Sequence, residues 1–229
     1  MRYVARGVIQ LPIGANAYLV DGDEGVTLVD TGVPGKVDVI ESGLKKMGRT
    51  WSDLKAVLIT HAHPDHTGSA RAVKDASQAP VTMSARDARV PHGLEPVTPP
   101  PLKDAIGPLG GAFRFLPKAE GFSVATELAA DGTDGLPAEW SVINTPGHTP
   151  GHVSYLLDRA GGLLFAGDAA MVNRSGQVYA GLMNPKSEQV KRSIVELAQH
   201  DFRAAYFGHG GQITNDAASA FRRFAYQQQ

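Results

Sequence analysis

The stretch Thr60-His61-Ala62-His63-Pro64-Asp65-His66-Thr67-Gly68 places three of the chain's eight histidines and a carboxylate within six positions. Imidazole nitrogens and carboxylate oxygens are ligands for divalent metal ions, so the stretch is either a metal site or a His-rich polar loop. His61 and His63 lie two apart, directly after the apolar run Ala56-Val57-Leu58-Ile59. In extended backbone such residues point the same way, and two imidazoles on one side can grip one ion. Pro64 then turns the chain. Asp65 and His66 emerge at the start of a predicted helix, where the helix dipole favours a carboxylate, and their side chains can face a second ion beside the first.

Further donors recur at the ends of apolar runs. His148 sits in Asn144-Thr145-Pro146-Gly147-His148-Thr149-Pro150-Gly151-His152, Asp168 ends Leu163-Leu164-Phe165-Ala166-Gly167-Asp168, and His209 ends Ala205-Tyr206-Phe207-Gly208-His209. A glycine beside each lets backbone pack closely around a crowded site. The chain has no cysteine, which excludes disulfides and thiolate ligands and leaves a metal only nitrogen and oxygen donors. Structural zinc sites are usually closed and cysteine-rich, so an all-His/Asp set points to an open, catalytic site.

The elements that must position these residues alternate along 229 residues, a length that suits one domain. Strands are expected at Arg2 to Gln10, Ala17 to Val20 and Val26 to Val29, with a hairpin turn at Asp21-Gly22. Others are expected at Ala56 to Ile59, Val81 to Met83, Ser123 to Leu128, Trp140 to Asn144, Val153 to Leu157, Leu163 to Ala166 and Ala204 to Phe207. Helices are predicted at Gly35 to Met47, Thr67 to Ala76, Ser187 to Leu197 and Asn215 to Tyr226, with Asn215 as N-cap of the last. From about 90 to 121 the sequence is rich in proline and too long for an ordinary connection, which makes it a loop insertion. Strands in blocks followed by helices indicate an α/β protein of two layered sheets with helices outside.

The charge balance is close to even, with a formal net charge of −1 and no run of like charges. It offers no footprint for nucleic acid or an anionic membrane. No apolar stretch is long enough for a transmembrane helix, and the N-terminal residues lack the apolar core of a signal peptide. The expectation is a cytoplasmic protein acting on a small molecule; its oligomeric state is not readable.

His61-Ala62-His63-Pro64-Asp65-His66 resembles the hallmark motif of the metallo-β-lactamase superfamily. Asp30-Thr31-Gly32, Gly147-His148-Thr149-Pro150-Gly151-His152, Gly167-Asp168 and Gly208-His209-Gly210 match the family's other motifs in order, from roughly Ala17 to Gly210. The resemblance implies a single domain over 1–229 with the αβ/βα four-layer sandwich (the metallo-β-lactamase fold) and two divalent ions at one edge of the sheets. It gives His61, His63 and His148 to one ion, Asp65, His66 and His209 to the other, and Asp168 to both. Asp30 is implied to orient a ligand imidazole rather than bind metal. Zinc is the default metal, with iron or manganese suited to the same donors. The implied chemistry is hydrolysis by a metal-bridging hydroxide, with Asp65 as catalytic proton shuttle.

The substrate narrows to an ester, thioester or lactone. Family β-lactamases do not usually carry the aspartate matched by Asp168. Glyoxalase II enzymes add a C-terminal helical region, whereas about twenty residues follow His209 here. Lactonases carry a tyrosine three residues beyond the bridging aspartate, where this chain has Met171, and Tyr179 is a candidate substitute. The alternatives are a mononuclear iron persulfide dioxygenase-like enzyme, a β-lactamase, and a non-catalytic metal-binding protein. The 90–121 segment is the expected substrate lid, with Phe113, Phe115 and Leu116 as apolar contacts. His152 is expected to pack or hydrogen-bond near the site, and His92 and His200 to be structural.

Overall fold

The computed structural model describes residues 1–99, 119–129, 134–181 and 183–228. The described residues form two compact units, one built from residues 1–97 and 119–128 and the other drawn mainly from 134–228. Most of the proline-rich insertion, including Phe113, Phe115 and Leu116, lies outside the described residues.

The first unit is organised on a seven-stranded sheet in sequential order: β1 (Arg2–Ala5), β2 (Val8–Ile13), β3 (Ala15–Gly22), β4 (Gly25–Val29), β5 (Leu54–Leu58), β6 (Val81–Ser84) and β7 (Thr126–Leu128). From β1 to β4 neighbours are antiparallel, and from β4 to β7 they are parallel. Parallel neighbours require crossovers. Helix α1 (Val37–Lys46) lies between β4 and β5, and α2 (Pro64–Thr67) and α3 (Ala70–Ser77) between β5 and β6; the short α4 (Ala85–Ala88) follows β6. Strands buried on both faces read as near-continuous apolar runs, as β3, β4 and β5 do. Ile40 and Leu44 of α1 join Leu11, Leu19, Leu28, Val57 and Ile59 in the core. Gly43 allows α1 to approach closely, since a Cβ there would lie 2.6 Å from Leu19 Cδ1.

The second unit holds a five-stranded sheet, ordered β14 (Gln212–Ile213), β13 (Ala204–Phe207), β10 (Leu163–Gly167), β9 (Val153–Leu157) and β8 (Trp140–Asn144). Only β10 and β13 run parallel among these pairs. A small hairpin, β11 (Met171–Val172) with β12 (Val178–Tyr179), follows β10. Helices α5 (Ser187–Leu197) and α6 (Ala217–Tyr226) complete the unit. Val190, Ile194 and Leu197 of α5 and Phe221 and Phe224 of α6 pack with Leu164, Ala205 and Phe207. No helix among the described residues is long and apolar enough to cross a membrane.

Several boundaries differ from the sequence expectation. The strand expected from Arg2 to Gln10 is two, because Gly7 at φ +72° breaks it into a hairpin. The turn expected at Asp21-Gly22 lies two residues later: Gly22 pairs with Gly25, leaving Asp23-Glu24 as the loop. The helix expected from Thr67 to Ala76 is split into α2 and α3 around Gly68, where a Cβ would lie 2.3 Å from the Pro34 ring. The last helix is capped by Asp216 rather than Asn215; Asp216 adopts φ +53°, and Ser219 Oγ donates to its carboxylate.

Gly32 and Gly35 both have positive φ, at +70° and +78°, but a Cβ at Gly32 would lie 2.5 Å from the Ile13 carbonyl oxygen while Gly35 faces open space. Gly35→Ala is expected to cost about 1–2 kcal/mol, the left-handed penalty alone, and Gly32→Ala about 3 kcal/mol or more. Urea unfolding of the two variants measures the difference.

Candidate metal centre

In the first unit, three adjacent parallel strands deliver their following residues to one edge. Asp30 follows β4, the His61–His66 stretch follows β5, and Asp87 lies just past β6 on α4. Asp30 N–H donates to the Leu58 carbonyl at 2.9 Å, stitching the first two strand ends together. Asp30 is itself left-handed, at φ +57°, a conformation that costs a non-glycine residue about 1–2 kcal/mol and that aspartate tolerates better than most.

Buried, the Asp30 carboxylate collects three contacts. Oδ1 accepts from Thr60 N–H at 2.8 Å, and Oδ2 accepts from Thr60 Oγ1 at 2.8 Å. Oδ2 also lies 2.8 Å from His66 Nδ1. These contacts determine two ring tautomers. A carboxylate can only accept, so His66 Nδ1 carries the proton and Nε2 keeps its lone pair. Thr60 spends its hydroxyl hydrogen on Asp30, so at 3.0 Å from His61 Nδ1 its oxygen accepts, and His61 is also protonated on Nδ1. His61 Nε2 then turns its lone pair towards His63 Nδ1, 3.1 Å away. His66 Nε2 lies 3.8 Å from Asp65 Oδ2. The backbone between His61 and His63 is pinned from the side: Ala62 N–H donates to the buried Asp87 carboxylate at 2.9 Å.

The second unit repeats this logic. β10 and β13 run parallel, so Asp168 and His209, each just past a strand end, emerge side by side; Gly208 N–H donates to the Gly167 carbonyl at 2.8 Å. His148 lies in the loop between β8 and β9. Its Nε2 is 3.3 Å from Asp168 Oδ2, and His209 Nε2 is 3.4 Å from the same oxygen. Asn184 Nδ2 donates to the Gly181 carbonyl at 2.7 Å, which turns its Oδ1 to His148 Nδ1 at 2.9 Å. His148 is therefore protonated on Nδ1, and its Nε2 lone pair faces a carboxylate oxygen. Two lone-pair-bearing atoms so placed repel unless a proton or a cation lies between them.

The distances fit a cation. With bonds of about 2.0–2.1 Å, two ligand atoms of one ion lie about 2.8–3.4 Å apart, from octahedral to tetrahedral angles. The separations of 3.1, 3.3 and 3.4 Å fall in that range. His61, His63, Asp65 and His66 of the first unit and His148, Asp168 and His209 of the second all belong to His/Asp groupings able to hold a metal ion.

Sequence reasoning named Asp30 as an orienting residue and missed three others that hold these donors through short polar contacts. Thr60 and Asn184 hold imidazole protons, and Asp87 holds a backbone amide. Thr60 and Asn184 carry a weak signal, one preceding His61 and the other preceding Pro185, while nothing around Asp87 marks it out. His92 and His200 stand apart, each beside a glutamate of its own unit, Glu127 and Glu196.

Asp30→Ala removes the acceptor that sets both His61 and His66, whereas Thr60→Val removes the acceptor for His61 and one of the bonds to Asp30 but leaves Asp30 to hold His66. Asp30→Ala is expected to weaken metal binding by about 10–100-fold and Thr60→Val by less. Competition against a chromophoric chelator measures both.

The sequence profile of the metallo-beta-lactamase superfamily matches residues 11–209. A probable metallo-hydrolase of Bacillus subtilis (strain 168) is 29% identical over 92% of this chain and 86% of its own length. A hydroxyacylglutathione hydrolase of Alkalilimnicola ehrlichii is 28% identical over 96% of this chain and 69% of its own. Among solved structures, a metallo-beta-lactamase family protein from Thermus thermophilus superposes with a TM-score of 0.70 at 26% identity, covering 99% of this chain and 81% of that one. Two mixed sheets with flanking helices, buried His/Asp clusters and a profile match over most of its length make the chain a member of the metallo-β-lactamase superfamily, with that family's fold.

Proposed function

We propose that the protein is a metal-dependent hydrolase that binds two divalent ions and cleaves a thioester, ester or lactone. His61, His63 and His148 hold one ion, Asp65, His66 and His209 hold the other, and Asp168 contacts both. Zinc is the expected metal, and iron or manganese would be accepted by the same donors. The observation that carries the reading is the convergence of proton-free ring nitrogens on neighbouring donors, at 3.1 Å in one unit and 3.3 Å in the other. Superfamily membership supports bringing the two sets of donors to one pair of ions. The likeness to a hydroxyacylglutathione hydrolase supports a thioester as the first substrate class to try.

When bound, two neighbouring divalent ions supply Lewis acidity and make water a competent nucleophile near neutral pH. The chain's residues do the rest. Asp65 and Asp168 bring two negative charges against the four positive charges of such a pair, so the site stays net positive and favours the oxyanion that forms as a carbonyl is attacked. Neutral imidazole ligands add no charge, and three of the rings, His61, His66 and His148, keep the proton of the second nitrogen on a protein acceptor. Asp65 takes the proton released on attack and returns it to the leaving group. No protein nucleophile is required, in keeping with the absence of cysteine.

Reconstitution of metal-stripped protein with zinc, iron or manganese, assayed on thioesters, lactones, β-lactams and phosphodiesters, tests the proposal. His61→Ala and Asp168→Ala are each expected to lose at least one metal equivalent and to lower kcat/KM by about a thousandfold or more. Full turnover by the stripped protein would rule out the mechanism.

A further inference from the structure

His152 is fully buried four residues after His148, yet it is not among the proposed ligands. It begins the turn into β9, which runs antiparallel to β10, so the start of one strand lies beside the end of the other. There His152 Nε2 accepts from Asp168 N–H at 3.0 Å. Accepting through Nε2 requires the ring proton on Nδ1, and Nδ1 faces Thr145 Oγ1 at 2.8 Å. Thr145 Oγ1 lies 3.0 Å from Ser154 Oγ, and Ser154 Oγ donates to the Ala166 carbonyl at 3.2 Å. All three side chains are buried.

The two ends give the chain of bonds one direction. At one end a backbone amide can only donate, and at the other a carbonyl can only accept. Between them His152 donates to Thr145, Thr145 donates to Ser154, and Ser154 donates to Ala166. Reversing any one hydrogen would set two donors or two acceptors face to face in a buried site, so the arrangement is locked. It starts at Asp168, whose carboxylate oxygen lies 3.3 Å from His148 Nε2 and 3.4 Å from His209 Nε2, and returns to Ala166, two residues upstream on β10.

We infer that His152 is a positioning residue for the metal centre. Held in its Nδ1–H form by Thr145 and Ser154, it fixes the Asp168 backbone and so places the carboxylate shared by His148 and His209. The inference rests on the proposed metal-dependent function and deepens it: the segment Gly147-His148-Thr149-Pro150-Gly151-His152, with its two Gly-His pairs, would supply one ligand and one orienting histidine. Thr145 is the sharper probe. Thr145→Val keeps the shape but removes the acceptor for His152 Nδ1–H, which drives the ring to the tautomer whose Nε2–H opposes Asp168 N–H. Thr145→Ser restores the hydroxyl.

Zinc affinity by chelator competition, and the visible absorption of the cobalt-substituted protein, should be measured for wild type, His152→Ala, Thr145→Val and Thr145→Ser, with circular dichroism as the check on folding. His152→Ala and Thr145→Val are expected to weaken the tighter-held equivalents by about tenfold or more and to alter the cobalt spectrum, with Thr145→Ser within about threefold of wild type. If His152→Ala does not fold, the Val/Ser pair at Thr145 carries the test alone. Folded variants that lose thermal stability but keep wild-type affinity and spectrum would reduce His152 to a packing residue and overturn the inference. A wild-type protein that binds neither zinc nor cobalt would instead overturn the metal-dependent function itself.

Discussion

A buried imidazole can serve as a ligand only through the nitrogen that carries no proton, and the rest of the site is arranged around that constraint. Each neutral ring has one N–H, and burial makes an unmatched donor or acceptor cost about 1–3 kcal/mol. The fold answers by giving the proton-bearing nitrogen a fixed acceptor: Asp30 for His66, Thr60 for His61, Asn184 for His148. The opposite nitrogen is then committed to the side where the other donors lie. Asp30 acts twice, directly on His66 and through the Thr60 hydroxyl on His61, so one carboxylate orients two rings.

Strand order makes these pairings short. In the first unit β4, β5 and β6 are parallel neighbours, and their carboxyl ends bring Asp30, the His61–His66 stretch and Asp87 together in that lateral order. In the second, β10 and β13 are the parallel pair, and they bring Asp168 next to His209. Side chains on irregular backbone past a strand end can aim where a pleat would not let them, while the strands behind them are held rigidly in the core. The left-handed Asp30 is one such aim, a local strain at a site where the surrounding bonds over-determine the conformation.

The donors were legible in the sequence because metal chemistry restricts residue types and because each donor follows an apolar run that ends in a glycine or a polar turn. The runs at β4, β5, β8, β9, β10 and β13 and the helices α1 and α5 were visible for the same reason: burial imposes hydrophobicity. Asp30 apart, the orienting residues were at most faintly marked. Thr60, Asp87, Asn184 and the Thr145–Ser154 pair act through a few hydrogen bonds each, at irregular sequence separations of up to 36 residues, which leave no periodicity to read. The shifted hairpin turn and the Asp216 cap depend on which residue takes a positive φ, and several neighbours were chemically eligible. The substrate was equally hidden, since the residues that match the superfamily motifs are the candidate metal donors and say nothing of what is cleaved.

The most direct test of the account is anomalous diffraction from crystals of zinc-loaded protein, recorded on both sides of the zinc absorption edge. The account predicts two zinc peaks roughly 3.5–4 Å apart. One would be ringed by His61 Nε2, His63 Nδ1 and a His148 nitrogen, the other by Asp65, His66 Nε2 and His209, with the Asp168 carboxylate touching both. A single peak, or zinc only at surface histidines such as His92 and His200, would contradict it.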